Sequence, residues 1–93
     1  MNIKETYQKK LQAQMDEFAK EIDKLKIKAD KTAAYAKVEY YNQIQELRTM
    51  QYEANRKLTE LEKANDDEWE DLKAGMDSAW DSLSNRLKSI TAK

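Results

Sequence analysis

Apolar residues recur at helical spacing along almost the whole chain, and they make a single stripe. It runs through Ile3, Tyr7, Leu11, Met15, Phe18, Ile22, Leu25, Ala29, Ala33, Ala36, Tyr40, Ile44, Leu47, Ala54, Leu58, Leu61, Trp69, Leu72, Met76, Trp80, Leu83, Leu87 and Ile90. With Gln51 and Asn65 filling its two polar gaps, the stripe advances about 3.6 residues per step, between the 3.5 of a left-handed coiled coil and the 3.67 of an eleven-residue repeat. Extra four-residue steps at Ala36–Tyr40–Ile44 and Leu72–Met76–Trp80 give eleven-residue echoes such as Trp69 to Trp80. Such stutters unwind a supercoil locally, so fairly straight helices are expected. A rod with one apolar stripe and no second hydrophobic surface must lay that stripe against another helix.

Composition narrows the chemistry. Charged residues make up 38% of the chain and proline is absent, the profile of long solvated helices. Disorder is the competing reading for so polar a chain, but its apolar residues are periodic and good helix formers fill the rest. Ninety-three residues make one unit at most. Cysteine and histidine are both absent, which removes disulfides, zinc sites, thiol nucleophiles and imidazole bases. No glycine-rich loop cradles a phosphate. The expectation is a non-enzymatic protein with no cofactor and no metal. The chain enters its amphipathic pattern at Ile3 without a signal-like apolar run, and no stretch is long enough to span a bilayer. Cytoplasmic residence is the default.

Punctuation is sparse. At Ala64-Asn65-Asp66-Asp67-Glu68, either Asn65 or Asp66 is a good N-cap, and the acids that follow suit the positive end of a helix macrodipole. Arg86, Lys88 and Lys93 sit where the negative end would lie. The spacing therefore predicts one long helix over about 3–63 and a second over about 66–91. A single unbroken helix is the competing reading, since the stripe holds its phase from Leu61 to Trp69. Gly75 lies inside the second pattern, where it reads as a tolerated surface defect or as a point of close helix approach. Net charge falls from +3 over residues 1–37 to −3 over residues 66–93.

The expected working surface is the stripe itself: Phe18, Ile22, Leu25, Ile44, Leu47, Leu58, Leu61, Trp69, Leu72, Met76, Trp80, Leu83 and Leu87 form a helix-association interface. A helix over 3–63 is about 90 Å long at 1.5 Å per residue, and the shorter helix covers less than half of it. The stripe from Ile3 to about Ala36 then needs a second copy, so a homo-oligomer is expected. Trp69 and Trp80 could instead enter a lipid surface, which makes a peripheral membrane protein the alternative function. Against it, the polar face beside them carries Asp67, Glu70, Asp71, Asp77 and Asp81, which anionic headgroups repel. Acidic pairs four apart, such as Asp77–Asp81, lack the surrounding oxygens a metal needs and read as solubility charges. Lys24, Lys26, Lys28 and Lys31 are diluted by Asp23 and Asp30, so nucleic-acid binding is not expected. The tyrosines read as covering the edge of the seam with wet hydroxyls. An unidentified client protein is a further partner class.

Two segments are similar to a family of small bacterial stress-inducible coiled-coil proteins: Leu11-Gln12-Ala13-Gln14-Met15-Asp16-Glu17 with Glu21-Ile22-Asp23-Lys24-Leu25, and Asp67-Glu68-Trp69-Glu70-Asp71-Leu72-Lys73-Ala74-Gly75 with Ala79-Trp80-Asp81-Ser82-Leu83. The Trp69/Gly75/Trp80 pattern is the most specific part. Where a small residue is expected before the Asp pair, this chain has Asn65. The resemblance implies a bacterial cytosolic protein of the stress response, all-α, with no catalytic residues to carry over.

Overall fold

A computed structural model describes residues 3–91, which form three helices: α1 (Ile3–Asp30), α2 (Ala34–Lys63) and α3 (Asp66–Thr91). Lys93, expected to complement the end of the last helix, lies outside the described residues. The all-α class holds, and no strand occurs among the described residues. The helices lie side by side in a body of 51 × 20 × 19 Å. Its length is that of one helix, since 30 residues span about 45 Å.

Contacts fix the directions. Near the first turn, the Lys28 ammonium lies 5.8 Å from the centre of the Tyr40 ring and Tyr41 donates its hydroxyl proton to Asp30, so α2 runs back along α1. Arg86 pairs with Glu46, which sets α3 antiparallel to α2. Three α1–α3 pairs, Lys4–Asp66, Tyr7–Trp69 and Phe18–Trp80, share a separation of 62 residues, the signature of two parallel helices in constant register.

The long helix over 3–63 is corrected: the chain turns at Lys31-Thr32-Ala33 and divides it in two. The reason lies in the stripe. Folding α1 back buries Leu11, Met15, Phe18, Ile22, Leu25 and Ala29 at 6% exposure or less within one chain, so no second copy is required to cover them. In that turn Lys31 donates its backbone N–H to the Lys28 carbonyl at 3.2 Å, Thr32 donates its N–H to the Ala29 carbonyl at 3.0 Å, and the Thr32 hydroxyl donates to the Lys28 carbonyl at 2.8 Å. Two of the carbonyls that end α1 are thereby satisfied. The start of α2 has no side-chain cap.

The break near Asn65 falls where the cap pattern puts it. Glu68 donates its backbone N–H to Asn65 Oδ1 at 3.0 Å, an N-cap bond that occupies one of the amides a helix start leaves free. Asp66, Asp67 and Glu68 fill the first turn of α3, where the macrodipole favours them. The same capped start brings Trp69 round to face α1.

Candidate helix-association interface

All thirteen residues expected at the interface meet inside one chain. Phe18, Ile22 and Leu25 from α1, Ile44, Leu47, Leu58 and Leu61 from α2, and Trp69, Met76 and Leu83 from α3 are buried in a single cluster. Leu72, Trp80 and Leu87 are half-buried against it. Leu11, Met15, Ala29, Ala54 and Ile90, stripe members outside that set, are core residues too. On α3 the fully buried positions are Trp69, Met76, Leu83 and Ile90, spaced by seven, so only one heptad position of that helix is wholly enclosed. Gly75 has open space where a Cβ would stand, which favours the surface-defect reading over close helix approach.

The two tryptophans, so alike in sequence phase, have different surroundings. Trp69 is 4% exposed, packs edge-on against Tyr7 with ring centres 5.6 Å apart, and carries the Lys4 ammonium 5.8 Å from its ring centre. Its indole N–H is buried and has no hydrogen-bond partner among the described residues. Trp80 meets Phe18 edge-on at 6.1 Å and keeps one side toward solvent.

Tyr7 does more than its place in the stripe suggests. Its hydroxyl donates to Asp77 across the α1–α3 seam, and the Lys73 ammonium sits 5.1 Å from its ring centre and 3.4 Å from Asp77. Burial, then the bond to the Asp77 carboxylate, pushes the phenol pKa well above its ordinary value. The expected wet hydroxyl is thus corrected for Tyr7; Tyr41 stays exposed, with its proton given to Asp30 at the surface, a bond that raises its pKa. Nothing local in the sequence pairs residue 7 with residue 77; only the fold brings them together. One turn earlier Lys4 bonds Asp66 and holds that carboxyl below its usual range.

The seam is closed at this end and open beyond it. No Cα of α1 comes within 8 Å of any Cα of α3, although both helices approach α2 that closely. Aromatic side chains standing between the two rods account for the gap. Beside the Phe18–Trp80 contact it becomes a groove of about 320 Å³, with Ala13, Gln14 and Phe18 on one wall and Trp80, Ser84 and Leu87 on the other. Glu17 and Glu21 line its rim and pair on the surface of α1 with Lys20 at 3.2 Å and Lys24 at 3.1 Å. The lining offers apolar contact from Phe18, Trp80 and Leu87, with Ser84 as its one hydroxyl.

Among the described residues, no helix is long and apolar enough to cross a membrane, and no three carboxylates gather as a metal site. Comparison with protein families, curated proteins and solved structures gives no significant match.

Proposed function

We propose that this chain is a non-enzymatic assembly protein that works by helix–helix association, joining copies of itself along the open α1–α3 side. The observation that carries this reading is the groove beside Phe18 and Trp80, where two parallel helices leave Trp80 and Leu87 only half-buried. A helix seated there would complete a four-helix arrangement, the commonest way such edges are buried. Absence of histidine and cysteine supports a role without catalysis. Cytoplasmic residence and a part in the stress response belong to the same reading, the latter supported by the family resemblance of the Trp69/Gly75/Trp80 segment. The acidic flank of α3, with Asp67, Asp71, Asp77 and Asp81, favours a protein partner over an anionic lipid surface.

Light scattering coupled to size exclusion tests it. At tens of micromolar the parent chain is expected to weigh more than one 11.0 kDa unit, and Ser84→Glu, which puts charge in the groove, is expected to return the mass to one unit with helicity unchanged. A parent mass of one chain under all conditions would overturn the reading.

A further inference from the structure

The two turns of this bundle are stopped by different means. Asn65 caps α3 with a side-chain bond and three acids follow it. Lys31-Thr32-Ala33 contains nothing that ends a helix. It has no glycine or proline, Ala33 gives the first amides of α2 no side-chain acceptor, and the first turn of α2 has no acid. Lysine and alanine are among the stronger helix formers. The apolar stripe also crosses this turn in step, through Leu25, Ala29, Ala33, Ala36 and Tyr40 at steps of four, four, three and four. A straightened segment would therefore be one amphipathic helix from Ile3 to Lys63.

We infer that the face of the α2–α3 hairpin covered by α1 also accepts α1 of a second copy, giving an exchanged dimer in which residues 31–33 are helical. In it the two straightened helices run antiparallel about a two-fold axis near the Ala34–Tyr35 step, the midpoint of the Lys28–Tyr40 and Asp30–Tyr41 contacts. Counted outward from that step, Ala29 meets Tyr40, Leu25 meets Ile44 and Ile22 meets Leu47 of the other copy. This is the antiparallel order that already sets Lys28 over Tyr40 and Tyr41 against Asp30 within one chain. The contacts of α1 with the hairpin are kept, and only the turn changes, which is why exchange of an identical element is a low-cost route to a dimer. The alanines at the axis leave room for two rods to pass closely, since interaxial distance follows the side chains at the crossing.

The inference shares with the proposed function only the need for a second copy; the route is different, and one experiment separates them. Gln8 and Glu62 line one surface hollow at the far end of the α1–α2 pair, and the chain has no native cysteine. Gln8→Cys/Glu62→Cys, refolded from denaturant at rising concentration and treated with a short bis-maleimide, is read on a denaturing gel beside its native mass. Each single-cysteine variant serves as the control, and circular dichroism checks the fold. Exchange predicts a covalent dimer whose share grows with refolding concentration. It also predicts that Ala33→Asp, which supplies the missing cap, favours the broken helix about fivefold at each of two turns and so lowers the dimerisation constant roughly 25-fold. Only intramolecular cross-links overturn the exchange: with a native mass of two chains the groove reading stands alone, and with a mass of one chain both fall. An Ala33→Asp variant that cross-links between chains as well as its parent would also overturn it.

Discussion

The two ends of the α1–α3 seam use the same kind of side chain to opposite effect. At Tyr7–Trp69 the buried indole meets a half-buried phenol, with Lys4, Lys73, Asp66 and Asp77 bonded around them. At Phe18–Trp80 the same edge-on geometry leaves a groove, and the nearest charges, Glu17 and Glu21, pair with lysines of their own helix. Aromatic bulk alone wedges two helices apart; whether the wedge becomes core or groove depends on what polar groups close over it. Position in a hydrophobic stripe does not decide between those outcomes.

The largest effect should separate the tryptophans. Trp69→Ala is expected to cost about 3–5 kcal/mol in urea unfolding, as deletion of an enclosed aromatic does. Trp80→Ala, with one side already in water, should cost about 1–2 kcal/mol by its smaller buried area. Equal losses would break the contrast between the two ends. Trp69→Phe sharpens it further: that change deletes the buried N–H with no partner, relieving a desolvation cost of about 1–3 kcal/mol. It should therefore be far milder than Trp69→Ala, and milder than the loss of ring area alone implies.

Next comes the polar closure. Tyr7→Phe removes the hydroxyl bond to Asp77 and is expected to cost about 1–2 kcal/mol at neutral pH, the low end for a bond to a charged acceptor because Asp77 is half exposed. The pH dependence has a definite sign. Because the folded state holds the Tyr7 proton above the ordinary phenol value of about 10, its contribution is complete below about pH 10 and declines as pH rises past it. Urea midpoints measured from pH 8 to 11 should fall for the parent and fall less for Tyr7→Phe. A decline of equal steepness in both would assign the alkaline loss to other groups.

How much of this was legible in the sequence differs from turn to turn. Asn65 followed by three acids is a chemical stop signal that acts over a few residues, so the second turn could be read directly. The first turn has no such signal. What drives it is the need to bury Leu11 through Ala29, a demand that a second copy or the chain's own α2 meets equally well on pattern alone. That the thirteen stripe positions turn inward was legible for the same reason: the stripe says which side of each helix packs and leaves open what packs against it. The Tyr7–Asp77 bond and the groove come from the parallel pairing of α1 with α3, which no local pattern encodes.

The smallest effect lies between the two ends. Gly75→Ala adds a Cβ where nothing stands within 4 Å, so it should stabilise the bundle by about 1 kcal/mol, the helix preference of alanine over glycine. A loss instead would mean that α3 needs local play to sit across both halves of the seam.

The 62-residue register also has a kinetic side. The α1–α2 and α2–α3 pairs close across turns of three and two residues, whereas α1 and α3 meet only across a whole intervening helix. Short closures come first because their entropic cost is lowest, and bundles of this type fold in about microseconds to milliseconds. With no proline, no isomerisation step delays the chain. The rings of Tyr7, Phe18, Trp69 and Trp80 are then the last parts to lock, so helix content should appear before indole fluorescence settles. Whichever rod arrives at that late moment, its own or another's, is the one the aromatics retain.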